Sequence, residues 1–294
     1  MVISKNTYKY CGVKFNRGTG LGNRLFPWAR CVVYAKHKNI PMLWPKWTHL
    51  RKASFLKGGI NYETSLGKIL LYNNFKPSED YIKNIHKQKI KLTHGSKINW
   101  FNGDGNFFSD LHDFHQLIKN ELFQITHPNV LTEFDQFTVP PIVLNIRRGK
   151  DFSDAINETD YINKGAIRTP LSWFIKSLSQ LREISNKDVP ALIISDGNKI
   201  DLKEILALSN VSLAKTKTAL ADLHLLKNAK VILGSGGSSF TAWGSFLSKA
   251  TTLTIPGQSL QWFNISNNLS NHYVGTYDPL HPDFELLKLM NEKL

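Results

Sequence analysis

The stretch VLNIRRGKDFSD, residues 143–154, decides the fold class of this chain. It opens with apolar and β-branched residues in almost unbroken succession, from Val143 to Ile146, which is typical of a strand that a parallel sheet buries on both faces. Charge then begins abruptly at Arg147, which indicates that the strand ends there and a loop follows. The stretch therefore predicts a strand of an open α/β sheet.

The residues downstream repeat this alternation of short apolar runs and helical spacing. We predict strands at 142–146, 191–194, 211–214, 231–234 and 251–255. Helices are predicted at 199–208, 219–228, beyond 239 and at 282–294, and a further helix starts with Thr169 as its cap and Pro170 as its first residue. Strands that alternate with helices at this spacing indicate a doubly wound parallel sheet.

Two arginines, Arg147 and Arg148, come directly after the first of these strands. Ligands of open α/β sheets bind just beyond the carboxyl ends of the strands, which places both guanidiniums where an anion would bind. Each guanidinium is a planar fork of donors that stays ionised, and this chemistry suits a diphosphate. The alternative is a solvated strand end with an ion pair to Asp151 or Asp154.

A second candidate phosphate loop, SGGSS at 235–239, lies between the fourth of these strands and a helix. Its glycines expose backbone amides and its serines add hydroxyls, so the loop is suited to hold a phosphate. The alternative is that a serine only caps the helix.

The N-terminal part contains a similar succession of strand, glycine loop and helix. A strand at 8–15 is followed by GTGLGNRLF, 18–26, and then by apolar residues at helical spacing, with Pro27 expected in the first turn. The loop predicts either phosphate binding or a tight turn that packs helix on strand. NAD is not expected, because the spacing is not G-x-G-x-x-G and the next strand, 40–44, is followed by proline and lysine instead of an acid.

Periodicity is weak between residues 48 and 129, where 111–123 has the clearest helical spacing and FNGDGNFF at 101–108 is predicted to be an exposed loop. Acids and histidines near this loop either line a cleft or belong to a solvated helix start. A metal site is not expected, because their spacing is not that of metal ligands. These acids and histidines are Asp104, Asp110, His112, Asp113 and His115. Three prolines at 125–141 place a domain boundary near residue 135.

Basic residues are concentrated near the N-terminus. The 294-residue chain has a net charge of +14, and residues 1–62 contain twelve Lys or Arg and no acid. Such a surface attracts nucleic acid, an anionic membrane or a phosphorylated substrate, or it serves only solubility. We expect a cytoplasmic protein, because neither a signal-peptide pattern nor a membrane-spanning run is present. Cys11 and Cys31 are too few for a disulfide scaffold, and both are expected to be buried.

Three motifs, in this order, resemble those of the bacterial α-1,2-fucosyltransferases. GTGLGNRLFPWA, 18–29, resembles the glycine-rich start of that family. NIRRGKDF, 145–152, resembles its H-x-R-R-x-D element, which α-1,6 and protein O-fucosyltransferases share in part. ISDGNKIDL, 194–202, resembles the F-S-D-D element, and residues 222–247 resemble the serine-rich stretch that follows it.

This resemblance implies an α/β fold of GT-B type, in which two Rossmann-like domains face each other across a cleft. Residues 1–135 would form the acceptor-side domain with the glycine-rich loop, and residues 136–260 the domain that binds the GDP-sugar. Residues 261–294 would form a C-terminal tail and helix that pack back on both.

The resemblance also implies GDP-β-L-fucose as donor substrate and assigns residues to it. Arg147 and Arg148 would contact the diphosphate during catalysis, and Asp151 is the expected base, with Asp154 and His112 behind it. The other implied donor-binding residues are Gly20, Gly22, Asn23, Arg24, Asn145, Asp196, Ser238, Ser239 and Phe240. No metal or other cofactor is expected, because the arginines and backbone amides would neutralise the departing GDP.

We expect inverting transfer to a sugar hydroxyl, with an α-1,2 linkage, in a surface polysaccharide or oligosaccharide precursor. The acceptor would be carried on a lipid diphosphate at the inner face of the cytoplasmic membrane, and the basic N-terminal domain would contact anionic lipid there. Asn145 stands where the family has histidine and Ala242 where it has tryptophan, so another nucleotide sugar is an alternative donor. A nucleic-acid-binding protein is a second alternative, although no known nucleic-acid-binding motif supports it.

Overall fold

A computed structural model describes Tyr8 and residues 10–16, 19–42, 98–126, 128–266 and 272–294. Gly18 and the end of the predicted strand at 40–44 lie outside these residues. Met42, in the described part of that strand, makes a single parallel bridge to Cys11.

The described strands are β1 (Tyr10–Val13), β2 (Ile98–Phe101), β3 (Ile142–Ile146), β4 (Ala191–Ser195), β5 (Val211–Leu213), β6 (Val231–Gly234), β7 (Thr251–Thr254) and β8 (Val274–Thr276). The helices are α1 (Leu21–Lys38), α2 (His115–Ile125), α3 (Pro128–Asp135), α4 (Asp160–Asn163), α5 (Leu171–Ser185), α6 (Lys203–Leu206), α7 (Ala219–Leu226), α8 (Ser239–Ser248) and α9 (Phe284–Asn291). Two 3-10 turns span His112–Phe114 and Gln261–Phe263.

Six strands form a parallel sheet in the order β5-β4-β3-β6-β7-β8. Counted from β3 this is the 3-2-1-4-5-6 order of a Rossmann sheet, in which ligands bind where the order reverses. The reversal lies between β3 and β6, so the loops after these two strands meet at the switch point. The prediction of an α/β fold built on a parallel sheet is confirmed.

The sixth strand, β8, lies in a stretch that the sequence predicts to be irregular. Three residues with Gly275 in the middle are too short to display a period of two, so local pattern gives no signal. The strand forms because β7 offers it a free edge, and the amide of Thr252 donates to the carbonyl of Tyr273 at 2.8 Å.

Two helix starts differ from the prediction, that of α5 by a single residue. Pro170 is the cap residue of α5 with an extended ψ of 142°, and Thr169 does not cap this helix. α1 begins at Leu21, so Pro27 lies in its second turn. The missing N–H of this proline leaves the carbonyl of Asn23 without its helical donor.

The predicted helix at 199–208 is reduced to the four residues of α6. Asn198 explains the difference, because its side-chain oxygen accepts from the amides of Ile200 and Asp201 at 2.8 and 3.0 Å. An asparagine that bonds to the backbone in this way competes with helical hydrogen bonds and holds a turn.

The helices on one face of the large sheet share a core with the N-terminal elements. The rings of Phe26 in α1 and Trp243 in α8 lie 5.1 Å apart, and those of Phe108 and Phe246 lie 4.5 Å apart. Phe108 is fully buried, so the prediction of an exposed loop at 101–108 is wrong at this end. Burying each large apolar side chain contributes about 1.5–3 kcal/mol, and these rings therefore hold α1 firmly against α8.

The N-terminal strands β1 and β2 form a separate parallel pair, and α1 follows β1. Cys11 and Cys31 are buried free thiols, as predicted. Among the described helices, none has both the length and the apolar character required to cross a membrane.

Candidate active site

Helix α8 begins at the switch point with backbone amides that face no acceptor among the described residues. Ser238 caps the helix, since its Oγ accepts from the amide of Thr241 at 3.3 Å. The amides from Gly236 to Phe240 donate to no acceptor within the described ranges. Free amides at a helix N-terminus carry partial positive charge and favour an anion, so the serine cap and a phosphate loop are compatible at this position.

The loop SGGSS at 235–239, here called the serine loop, is fixed from beneath by buried hydrogen bonds. Ser235 donates its amide to the carbonyl of Asn145 at 2.9 Å, and its Oγ accepts from the amide of Arg147 at 2.9 Å. The side-chain amide of Asn145 donates to Thr241 Oγ1 at 2.7 Å, and that hydroxyl donates to the Ser235 carbonyl at 3.0 Å. Asn145 is buried and therefore holds the loop in place from below.

The N-terminus of helix α1, which has no side-chain cap, lies directly against that of α8. Gly20, its cap residue, has no side chain to accept a hydrogen bond, and the amides of Leu21 to Asn23 have no acceptor in the described residues. A Cβ atom on Gly22 would lie 2.5 Å from Ser239 Oγ and 2.9 Å from the amide nitrogen of Phe240. Glycine is therefore required for this contact, and two positive helix ends converge on one place.

Arg24 lies beneath the glycine loop and not at its surface. Its guanidinium is buried, and burial lowers its pKa to about 10, so it remains a cation at neutral pH. Arg24 Nε donates to Thr19 Oγ1 at 3.2 Å, and Thr19 in turn donates to the carbonyl of Asn16 at 3.0 Å. Arg24 thus shapes the loop, whereas Asn23 is partly exposed at the helix start.

The two arginines after β3 differ in their surroundings. Arg147 pairs with Asp151 at 2.7 Å and with Asp196 at 2.9 Å, and its guanidinium lies 4.9 Å from the ring centroid of Phe152. The ion pair that the sequence offers as the alternative is therefore present at Arg147. Gly149 makes room for it, because a Cβ there would lie 2.5 Å from Asp196 and 2.7 Å from Asp151.

Arg148 has the more available guanidinium. Its amide donates to Asp196 Oδ1 at 2.6 Å and its side-chain carbons pack against Gly197, but no described carboxylate lies within ion-pairing distance of its guanidinium. Burial, followed by the charge of Arg168, lowers the pKa of Arg148, and the more distant carboxylates oppose this shift. A partly buried cation without an ion-pair partner is suited to an incoming anion.

Arg168 is a site residue that sequence reasoning missed. One of its terminal nitrogens donates to the carbonyls of Arg148 and Gly149 at 3.0 and 3.4 Å, and the other pairs with Asp154 at 3.2 Å. Arg168 thereby fixes the backbone that carries Arg148. Its only sequence signal is a basic residue at the end of a loop rich in acids, which does not reveal that its side chain turns back.

The segment 151–168, here called the covering loop, lies over the serine loop. The amide of Ser153 donates to the carbonyl of Ala166 at 3.0 Å and closes the base of the covering loop. Gly165 then crosses Gly237, whose φ of +65° and close contact with the Gly165 carbonyl leave no room for a side chain. The covering loop forms one wall of the site.

The three side chains considered for the catalytic base, Asp151, Asp154 and His112, do not lie together. Asp154 is engaged by Arg168, and Asp151 keeps 66% of its side chain exposed beside Arg147. The ring of His112 lies 6.4 Å from that of Phe246, which is seven residues, or about 10 Å of helix, beyond Ser239. His112 is therefore not brought to the serine loop. Within the described ranges no group of three or more metal-ligating side chains occurs.

No protein-family model and no curated protein matches this chain. Among solved structures, NodZ alpha-1,6-fucosyltransferase soaked with GDP-fucose is similar with 11% identity and a TM-score of 0.46, over 85% of this chain and 96% of that one. Fucosyltransferase NodZ from Bradyrhizobium matches with 13% identity and a TM-score of 0.46, over 81% and 93%. POFUT1 in complex with GDP-fucose matches with 9% identity and a TM-score of 0.44, over 84% and 96%. With TM-scores below 0.5, these similarities assign neither an activity nor a residue role.

Proposed function

We propose that this protein is a glycosyltransferase of GT-B type that transfers L-fucose from GDP-β-L-fucose to a sugar hydroxyl. The observation that carries the proposal is the contact, at Gly22 and Ser239, between two helix N-termini whose first backbone amides have no acceptor in the described residues, at the switch point of a Rossmann sheet. Each helix end is equivalent to about half a positive charge, so their approach is unfavourable unless an anion lies between them. A diphosphate supplies that anion.

The cations around the switch point support a nucleotide diphosphate. The partly buried Arg148 adds a full charge to the two helix ends, and Arg168 holds its backbone. Charge develops on the β-phosphate as the sugar departs, and donors fixed in advance around it stabilise that charge most strongly where water is excluded. The identity of the sugar and of the guanine base rests on the three sequence motifs described above.

The chemical step is proposed as an inverting displacement. The acceptor oxygen attacks the anomeric carbon, the bond from this carbon to the β-phosphate oxygen breaks, and its electron pair leaves with GDP. The hydroxyl proton passes to Asp151, whose Oδ2 is held by Arg147 while Oδ1 remains for the proton. Gly20, Asn23, Ser238 and Phe240 would lie against the donor, and Asn145 would act by holding the serine loop.

The acceptor side of the proposal rests on charge and on the division of the chain. Residues 1–135, with most of the excess positive charge, would bind an oligosaccharide carried on a lipid diphosphate and contact an anionic membrane at its cytoplasmic face. Residues 136–260 would bind the donor, and 261–294 would complete the fold. An α-1,2 linkage is proposed from the sequence motifs alone.

Calorimetric titration of the wild-type protein with GDP, GDP-fucose, GDP-mannose and UDP-glucose tests the proposal. We expect GDP and GDP-fucose to bind with similar Kd, GDP-mannose more weakly and UDP-glucose not measurably. Arg148→Ala should abolish binding, whereas Lys150→Ala, which removes an exposed charge two residues away, should not. Wild-type protein that binds no guanine nucleotide would refute the proposal, and tightest binding of another sugar nucleotide would correct the donor.

A further inference from the structure

An exposed tryptophan is held rigidly in the loop that follows β7. Trp262 keeps 50% of its surface exposed, although its ring stacks on Phe263 with centroids 3.9 Å apart. Phe107, from the N-terminal part of the chain, meets the same ring edge-on at 5.2 Å. An exposed aromatic ring that is fixed in orientation offers an apolar face on which a ligand can stack.

Strained backbone and hydrogen bonds keep this ring in place. Phe107 has a φ of +51°, a left-handed conformation that is unusual for a bulky residue and often marks functional sites. The amide of Phe108 donates to the Phe263 carbonyl at 3.1 Å, and the Asn264 side chain donates to the Asn106 carbonyl at 3.3 Å. The two chain segments therefore form one rigid platform, which we call the Trp262 platform: Asn106, Phe107, Gln261, Trp262 and Asn264.

The polar groups of the Trp262 platform are uncharged amides. Asn106, Gln261 and Asn264 are all exposed beside the ring. Residues 105–109 and 255–266 contain no charged side chain, and the nearby Arg30 guanidinium is engaged by the carbonyls of Asn102, Gly103 and Asp104. Amides donate and accept hydrogen bonds, which suits the hydroxyls of a neutral sugar, whereas nucleic acid would require cations at this position.

Packing contacts link the Trp262 platform to the elements of the candidate active site. Gln258, four residues before Trp262, packs closely against Gly236 of the serine loop and donates to the Lys164 carbonyl of the covering loop at 3.3 Å. On the other side, Phe107 lies 5.5 Å from Phe26, which is one helical turn, about 6 Å, from Gly22. These contacts connect the platform to the elements that form the site.

We propose that the Trp262 platform binds a neutral sugar ring of the acceptor, one or more units away from the reacting hydroxyl. The apolar face of the sugar would stack on the Trp262 ring while Asn106, Gln261 and Asn264 bond to its hydroxyls. This inference rests on the proposed glycosyltransferase function, since that function supplies an oligosaccharide substrate.

Saturation-transfer NMR with a panel of neutral hexasaccharides (gluco-, manno-, xylo- and chito-series), recorded on the GDP-loaded protein, tests the inference. At least one hexasaccharide should receive saturation, and Trp262→Ala should weaken its binding by tenfold or more, with Trp262→Phe intermediate. GDP affinity should be unchanged in both variants. Phe284→Ala is the control, because Phe284 is a large apolar side chain that is 75% exposed at the start of α9, outside residues 1–135. This variant should bind the hexasaccharide like the wild type.

Three results would overturn the inference: no hexasaccharide binds the wild type, Trp262→Ala retains binding within twofold, or a labelled single-stranded oligonucleotide binds in a Trp262-dependent way. Failure of the proposed donor is a separate outcome. Wild-type protein that binds a hexasaccharide through Trp262 without binding GDP refutes the proposed donor and keeps the sugar platform, whereas GDP binding without any hexasaccharide refutes the platform alone.

Discussion

Replacing Gly22 by alanine tests whether the contact between the two helix starts forms the site. The added Cβ would lie 2.9 Å from the Phe240 amide nitrogen and 2.9 Å from the Ser239 carbonyl carbon, both of which are backbone atoms. Ser239 Oγ, at 2.5 Å, can rotate away, but the backbone of α8 cannot. Restoring ordinary contact at about 3.5 Å therefore requires α1 to move by about 0.5 Å or more.

The expected magnitudes follow from this displacement. Overpacking in a core costs about 1–3 kcal/mol, and alanine in place of helical glycine returns about 1 kcal/mol, so the free energy of unfolding should fall by about 0–2 kcal/mol. The effect on the site should be larger, because a displacement of about 1 Å costs about a hundredfold in a positioned reaction. For about half that distance we expect GDP to bind about tenfold more weakly, or about 1.4 kcal/mol.

Calorimetric titration with GDP and urea unfolding, on the same preparation, separate the two effects. Gly275→Ala is the control, since its Cβ would meet the hydroxyl and ring of the Tyr273 side chain and Gly275 lies in β8, at the sheet edge away from the switch point. This variant should change stability without changing GDP affinity. A Gly22→Ala protein that binds GDP within twofold of the wild type would refute the role of the helix contact.

Arg148→Ala should lower kcat/KM by at least a hundredfold, as expected when a donor to a charged transition state is lost, and circular dichroism should show an intact fold. Turnover within tenfold of the wild type would contradict the assignment of Arg148 to the diphosphate. Arg168→Met should weaken GDP binding several-fold, because the Arg148 carbonyl loses its hydrogen bond, and Arg168→Lys should lose less affinity than Arg168→Met. An equal Kd for GDP in the wild type and both variants would show that Arg168 does not belong to the site. Gly237→Ala should abolish measurable GDP binding because its left-handed φ and the Gly165 carbonyl exclude a side chain, and an unchanged Kd would be the opposing result. Burial lowers the pKa of His272 from 6.5 to about 4. Between about pH 6.5 and pH 4 the unfolded state therefore binds more protons than the folded state. The free energy of unfolding should fall as the pH drops through this range, by up to about 1.4 kcal/mol per pH unit. His272→Gln, tested by urea unfolding at pH 7 and pH 5, should flatten this dependence, and an identical slope would refute the assignment.

The local sequence was sufficient to predict those elements whose pattern lies within one segment of the chain. The apolar run before Arg147 predicts β3, and the runs before the other loops predict four more strands of the sheet. Glycine spacing likewise predicts the start of a helix near Gly22. The sequence does not predict β8, because a strand of three residues forms only beside its neighbour. It also misplaces the start of α5 by one residue, because either Thr169 or Pro170 could be the cap residue of that helix.

The chemistry of the two arginines was beyond the reach of sequence. Both are equivalent in the motif, yet Arg147 is held by Asp196, 49 residues away in the chain, while Arg148 receives support from Arg168. Each partner lies within a few ångströms of its arginine. This proximity arises only when the strands have paired and the covering loop has folded over the site.

The sequence by itself determined that the chain forms a parallel α/β sheet with glycine loops and cations at strand ends, because strand burial and turn formation depend on neighbouring residues. Only the tertiary structure decided that the starts of α1 and α8 touch, since this contact depends on a core shared by residues more than two hundred positions apart, such as Phe26 and Trp243. The same packing decided which of the two guanidiniums is ion-paired and placed the exposed Trp262 ring against Phe107.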